Sequence, residues 1–187
     1  MKKENRAASG GRRRTGLFCP GAFGLVGALL CFGICGCGET GGYSNDPLFP
    51  TEVRGVYVEM FENQSFWRGV EYELTDALAK RIEADTPYKI VSSRDRADSV
   101  ISGQISSVGQ SLLSFERETG VALEKELELQ AVVNWKDLRT GNLLIDSKPV
   151  MASASYSELQ KQGFGYSSRI AANNLAQRIV ELMEKAW

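Results

Sequence analysis

The stretch VALEKELELQAVVNWK, residues 121–136, contains the pattern that decides the fold. Apolar and polar residues alternate along it, and a period of two is typical of a strand with one buried face. The face predicted to be buried comprises Leu123, Leu127, Leu129, Ala131, Val133 and Trp135, with Lys125 as its one charge. The opposite face comprises Glu124, Glu126, Glu128, Gln130 and Asn134. At about 3.3 Å per residue, we expect this strand to be roughly 50 Å long.

The segments on either side of this stretch have the composition of partner strands. Ser99–Phe115 is rich in β-branched residues and serine, and Leu143–Tyr156 is predicted to be the returning strand. Polar turns separate the three segments, at Glu116–Gly120 and at Asp137–Gly141. The three segments therefore predict consecutive strands joined by tight turns.

Two amphipathic helices and two shorter strands complete the predicted domain. The alternation of residues 56–61 predicts a strand, and helical spacing then predicts a helix that opens near Ser65. A short strand follows at Tyr88–Val91, and the last helix is predicted over Ile170–Trp187. This β-α-β-β-β-β-α order predicts an α+β two-layer sandwich, with a four- to five-stranded, mostly antiparallel sheet and two helices on one face.

The first 36 residues are interpreted as a targeting segment. Residues 1–16 contain six basic residues and one acid, and residues 17–34 are uncharged and apolar. A basic region followed by an apolar region is typical of a secretory signal. Two alternatives stay open for this part of the chain. They are a plain transmembrane anchor, and metal binding by Cys31, Cys35 and Cys37.

The end of the apolar run favours a lipoprotein. Ile34-Cys35-Gly36-Cys37 resembles the lipobox of bacterial lipoproteins, in which the final cysteine is lipidated and becomes the new N-terminus. Cleavage before Cys37, the predicted lipid attachment site, would leave 151 residues with a net charge of −6. We then expect a lipid-anchored tether over residues 37–50 and a single domain over residues 51–187. Gly38 favours sorting to the outer membrane.

The composition argues against most catalytic and nucleic-acid functions. The chain has no histidine, which excludes a histidine-based catalytic triad and the usual zinc sites. Its net charge of −1 argues against a dedicated nucleic-acid binder. The row Glu124, Glu126 and Glu128 is interpreted as a polar face that discourages edge pairing. A carboxylate hydrolase that uses this row is the enzymatic alternative. We expect no catalytic residue, no metal and no cofactor.

The sequence resembles a known family over about residues 37–187. The resemblance is carried by the lipobox, the tether, residues 55–105 (GVYVEMFENQSFWRGVEYELTDALAKRIEADTPYKIVSSRDRADSVISGQI) and the C-terminal amphipathic helix. Together these features resemble the LptE family of lipopolysaccharide-assembly lipoproteins. The N-terminal domain of TolB and other envelope lipoproteins share part of this pattern.

The resemblance implies a non-enzymatic role at the outer membrane of a Gram-negative cell. A member of this family would plug and help to assemble an LptD-like β-barrel, and would contact lipopolysaccharide on its way to the outer leaflet. It also implies that Arg117 and Lys161 are lipopolysaccharide-binding residues, because the family's basic contact residues fall at those positions. The alternative is an envelope lipoprotein that regulates a periplasmic enzyme such as a peptidoglycan synthase.

Overall fold

The computed structural model describes residues 47–184. The chain forms β1 (Gly55–Val58), β2 (Glu62–Asn63), α1 (Val70–Asp85), β3 (Lys89–Ile90), β4 (Ser99–Phe115), β5 (Ala122–Asp137), β6 (Leu143–Tyr156) and α2 (Phe164–Leu182), with 3-10 turns at Arg94–Arg96 and Glu158–Gln160. The predicted signal peptide and Cys37 lie outside the described residues.

The strands form one mixed sheet with the order β3-β1-β4-β5-β6, and β2 also pairs with β4. The three long strands β4, β5 and β6 are antiparallel, whereas the short strands β1 and β2 run parallel to β4. Both helices pack on one face of the sheet and against each other. The predicted α+β fold with two helices on one face is confirmed, and β2 is a strand that the sequence did not predict.

Strand β5 lies at the centre of the long antiparallel region. Its residues from Leu127 to Trp135 alternate as expected, with every second side chain buried under the helices. The glutamate row therefore lies on the open face of a central strand. The interpretation that this row discourages pairing at an edge is wrong, because β4 and β6 occupy both edges of β5.

Both helices start at positions other than those predicted. α1 begins at Val70 rather than near Ser65, because the amide of Asn63 bonds to the Trp67 carbonyl at 2.7 Å and holds the intervening residues in a turn. α2 begins at Phe164 rather than at Ile170. Glycine lowers helix propensity in this region, but tertiary packing against α1 outweighs that preference.

The core lies between the sheet and the helix layer. Each helix contributes residues at helical spacing: Leu74, Leu78 and Ile82 from α1, and Ala171, Leu175 and Ile179 from α2. At the N-terminal side, Phe49 is buried against Tyr88, whose hydroxyl donates a 3.0 Å hydrogen bond to the Pro50 carbonyl. Burial raises the pKa of Tyr88 to about 12. Packing thus begins two residues ahead of the predicted domain start at residue 51.

Candidate functional site

The hairpin formed by β4 and β5 extends beyond the packed core. The last fully buried residue on its β5 arm is Leu127, which pairs with Gln110 on β4. We call residues 111–126 the distal hairpin. At about 3.3 Å per residue, it projects roughly 16 Å past Leu127. It is therefore a supported, solvent-exposed extension of a rigid sheet, which is where binding residues are often placed.

Backbone hydrogen bonds fix the turn at the tip of the distal hairpin. The N–H of Gly120 donates to the Glu116 carbonyl, and the N–H of Glu116 donates to the Val121 carbonyl, both at 2.9 Å. Gly120 has φ of 69°, a conformation that glycine adopts without strain. Arg117 is exposed in this turn, between Glu116 and Glu118.

Apolar side chains cover the arms of the distal hairpin and are open to solvent. They are between 48% and 57% exposed: Leu112, Leu113, Phe115 and Val121. Single exposed apolar residues are common, but several on one projecting element are typical of an interaction surface. The distal hairpin therefore combines one cation with an apolar surface.

The loop after β6 brings Lys161 to the same end of the sheet as Arg117. The hydroxyl of Ser157 donates a 2.7 Å hydrogen bond to the carbonyl of Leu123, close to the turn of the distal hairpin. Lys161 is exposed in this loop and adopts φ of 59°. Its N–H donates to the Glu158 carbonyl at 3.0 Å, which closes the 3-10 turn. The loop and the hairpin turn are thus neighbours.

An ion pair joins the loop to β5. Lys125 Nζ lies 2.6 Å from Glu158 Oε1, and this hydrogen bond raises the pKa of Lys125 above its ordinary value. The pair accounts for the one charged residue on the otherwise apolar face of β5. It also neutralises Lys125, so that Arg117 and Lys161 are the loop cations at this end that form no ion pair within residues 47–184.

The start of α1 adds an aromatic pair and a further cation that the sequence analysis missed. The rings of Trp67 and Phe164 are stacked, with centroids 4.0 Å apart and planes 17° from parallel. Arg68 follows Trp67 and is exposed. The sequence FENQSFWRG offered a signal in its adjacent aromatic and basic residues. Their partner Phe164 is too distant in sequence to predict.

A hydrogen-bonded carboxylate holds this segment in place. Glu71 Oε2 accepts from Asn63 Nδ2 at 2.7 Å and from the Gly69 N–H at 3.0 Å. Burial raises the pKa of Glu71, but hydrogen bonds from the backbone and from Asn63, with the nearby charge of Arg68, lower it overall. Glu71 therefore stays ionised and fixes the turn that presents Trp67.

The arrangement at this end suits binding an amphiphile better than catalysis. Arg68, Arg117 and Lys161 offer separate cations beside apolar and aromatic surface. The glutamate row on β5 makes one hydrogen bond of note, from Gln130 to Glu128 at 2.6 Å. In the described part of the chain, no group of three or more potential ligands is arranged to hold a metal ion.

Neither helix in the described range 47–184 is both long and apolar enough to cross a membrane.

A family model described as "LptE: Lipopolysaccharide-assembly" matches residues 53–185. The match begins just before β1 and runs through α2, so it includes the sheet, both helices, the distal hairpin and the loop that contains Lys161. No curated protein matches the chain significantly.

Several solved structures are weakly similar to the chain. The PelC dodecamer from Paraburkholderia phytofirmans is 11% identical, with 76% of this chain and 96% of that chain covered and a TM-score of 0.48. The uncharacterized lipoprotein B from Nitrosomonas europaea is 17% identical, with coverages of 75% and 88% and a TM-score of 0.48. The rare lipoprotein B from Shewanella oneidensis is 19% identical, with coverages of 70% and 93% and a TM-score of 0.44.

Proposed function

The chain belongs to the LptE family of lipopolysaccharide-assembly proteins, and from this premise we propose that it is a non-enzymatic, lipid-anchored outer-membrane protein. In this role it plugs an LptD-like β-barrel, helps that barrel to assemble and assists delivery of lipopolysaccharide to the outer leaflet. The observation that carries the proposal is the family match over residues 53–185, which includes every helix and strand of the described domain.

The chemistry of the distal end supports a lipopolysaccharide contact. Lipopolysaccharide presents phosphates next to acyl chains, and phosphates form strong charge-assisted hydrogen bonds with arginine and lysine. Arg117 and Lys161 are exposed there, beside the apolar side chains of the distal hairpin. Both residues are proposed to bind the phosphates, and Arg68 lies at the same end of the domain.

The open face of the sheet supports a place inside a barrel. The lumen of an outer-membrane barrel is polar. The sheet face opposite the helices is largely small and polar, and includes Ser102, Gln104, Ser107, Asn134 and Ser153. Such a face can lie against a polar wall without burying unpaired charge.

Anchoring follows from the lipobox. Cys37 is proposed to be acylated, and two or more acyl chains give stable membrane attachment. The tether between Cys37 and the domain would then let the packed region reach a barrel in the same membrane.

A pull-down from membranes tests the proposal. The tagged full-length protein is extracted in mild detergent, and the proteins that co-purify are identified and quantified by mass spectrometry. We expect a large β-barrel protein in a one-to-one ratio with the tagged chain. A Cys37→Ser variant is the matched control for anchoring, and we expect it to lose lipidation and to recover less of the barrel.

Recovery of a cell-wall synthase without any barrel would overturn the proposal. It would favour the alternative role, in which the same tethered domain regulates a periplasmic enzyme.

A further inference from the structure

The outer edge of β4 is unpaired along its distal part. β1 and β2 pair with β4 only as far as Ile105. Within residues 47–184, no strand pairs with this edge from Ser106 to Phe115, and we call this segment the free edge. An open strand edge presents backbone N–H and C=O groups that readily pair with another strand.

The sheet register identifies the backbone groups that point outward. The carbonyl of Ile105 points to the outer side, where it accepts a 3.1 Å hydrogen bond from the N–H of Gln64. Hydrogen-bonding direction alternates along an antiparallel strand. After the register shift that follows Ile105, the equivalent outward positions are taken by Val108, Gln110 and Leu112.

The opposite edge of the sheet, on β6, is closed by three features. Pro149 has no N–H to offer, and the N–H of Ser147 donates to Asn134 Oδ1 on β5 at 2.8 Å. Asn174 Nδ2 from α2 donates to the Ser153 carbonyl at 3.0 Å and covers the strand from the side. The free edge of β4 lacks such protection, since its sequence SSVGQSLLSF contains neither proline nor charge.

We propose that the free edge of β4 pairs with the free edge of a second copy of this chain. The two strands run antiparallel around a two-fold axis at Gln110, so that Val108 of each copy lies opposite Leu112 of the other. This register joins outward-pointing residues to outward-pointing residues and forms about six backbone hydrogen bonds. The two sheets become one continuous sheet, with the helices of both copies on the same side.

The composition of the edge favours a second copy over a different partner. Directly opposed like charges destabilise a strand pair, whereas aliphatic pairs stabilise it. In the proposed register every residue of the free edge meets an uncharged residue. A partner recruited by charge finds no charged residue on this segment to bind.

Exposed apolar side chains lie at both ends of the paired segment. Phe66 is fully exposed in the segment that follows β2, close to the start of the free edge. Leu113 and Phe115 are half-exposed at its other end. An antiparallel pairing brings the start of one free edge to the end of the other, so each Phe66 approaches Leu113 and Phe115 of the second copy. Burying these side chains adds a hydrophobic contribution to the backbone pairing.

Self-association of the full-length chain, purified in mild detergent without any barrel protein, tests this proposal. Sedimentation equilibrium over a range of concentrations is expected to show a reversible monomer–dimer equilibrium. Gln110→Pro removes an outward N–H and leaves the bonds to β5 in place, so it is expected to weaken dimerisation by about tenfold or more. Leu112→Lys is expected to have the same effect by opposing two charges to an apolar strand.

The matched control is Met151→Lys, which places the same charge at an exposed apolar position on β6. We expect this variant to dimerise like the unmodified chain, and circular dichroism checks that all three variants are folded. A chain that stays monomeric at every concentration, or a dimer that Gln110→Pro leaves unchanged, would overturn the proposal.

A photocrosslink identifies the occupant directly. With benzoyl-phenylalanine at position 112, the expected product is a crosslinked dimer whose peptides join position 112 to the segment around Val108. A crosslink to a different protein would show that this edge serves another partner and would overturn the assignment. The outcome is independent of the proposed barrel role, because the assay contains no barrel.

Discussion

The indole Nε1 of Trp135 donates a 2.9 Å hydrogen bond to the hydroxyl oxygen of Ser99, and both side chains are buried. The two residues lie on β5 and β4, at the end of the sheet opposite the distal hairpin. This bond satisfies the one polar group that Trp135 brings into the core. It allows a large aromatic side chain to fill the space beneath Tyr88, whose ring centroid is 5.8 Å away.

Replacing Ser99 by alanine should destabilise the fold. The buried indole N–H would lose its acceptor, and an unsatisfied buried donor costs about 1–3 kcal/mol. Urea denaturation followed by tryptophan fluorescence measures the free energy of unfolding. The control is Ser153→Ala on the exposed face of β6, for which we expect little change. Equal effects of the two substitutions would contradict this reading of the Trp135 bond.

Two glycines on β4 should respond in opposite ways to alanine. A Cβ atom at Gly103 would lie 2.5 Å from the Val132 carbonyl oxygen and 2.6 Å from Cε1 of Phe61. The backbone of β5 cannot move away without breaking its pairing, so Gly103→Ala should lower the free energy of unfolding by about 1–3 kcal/mol or more. At Gly109 a Cβ atom would meet nothing within 4 Å.

Thermal unfolding of both glycine variants checks this contrast. Gly109→Ala should be neutral or slightly stabilising, because alanine is less costly than glycine in a strand. A melting temperature for Gly103→Ala equal to that of the unmodified chain would show that β5 can shift to admit the methyl group.

Asp98 should make stability depend on pH. Its Oδ2 accepts hydrogen bonds from the N–H groups of Gly55 at 2.9 Å and Arg54 at 3.0 Å, and these bonds hold its pKa below the ordinary value of 3.8. A carboxyl group with a lowered folded pKa stabilises the protein fully above its unfolded pKa. This contribution is lost as pH falls through the lower folded value. Asp98→Asn should therefore be less stable than the unmodified chain at neutral pH.

The difference caused by Asp98→Asn should shrink as pH falls below about 4, where the unmodified chain also loses the charge. Urea midpoints measured at neutral and acidic pH provide the test. Asp95→Asn, in the neighbouring 3-10 turn, is the control and should leave the pH profile unchanged. A difference between Asp98→Asn and the unmodified chain that is constant with pH would rule out the charge as its cause.

Reversing the charges of Arg117 and Lys161 should weaken lipopolysaccharide binding and leave barrel assembly intact. The double variant Arg117→Asp/Lys161→Asp replaces two exposed phosphate donors with repelling charges, and we expect about a tenfold loss of affinity. Binding of purified full-length protein to lipopolysaccharide micelles is the measurement. The control is Lys89→Asp/Lys136→Asp, which makes the same charge change at the other end of the sheet. Equal binding by the two double variants would remove Arg117 and Lys161 from the proposed site.

The elements with strict periodicity could be predicted from sequence. The spans of β4 and β6 match the prediction, and β5 differs by one residue at each end, because alternation in a half-buried strand depends on neighbours close in sequence. The start of α2 could not be predicted. Its glycines disfavour a helix, and the contacts that stabilise it come from α1, for example the 2.6 Å hydrogen bond from Ser168 to Glu73.

The candidate site could be predicted only in part. Arg117 and Lys161 stand in turns that are readable from sequence, and pairing brings these turns to the same end of the sheet. The stacking of Trp67 on Phe164 and the free edge of β4 depend on tertiary structure. β2 is two residues long, and its parallel pairing stops at Ile105 for reasons that no local pattern contains.

The closed edge on β6 limits how large an assembly of this protein can become. A subunit with two reactive edges would recruit neighbours on both sides and grow without end into a filament. Pro149 and Asn174 give this subunit a valence of one, so association through β4 terminates after a single addition. These two residues, remote from the distal hairpin, thus keep the protein a discrete particle in a crowded compartment.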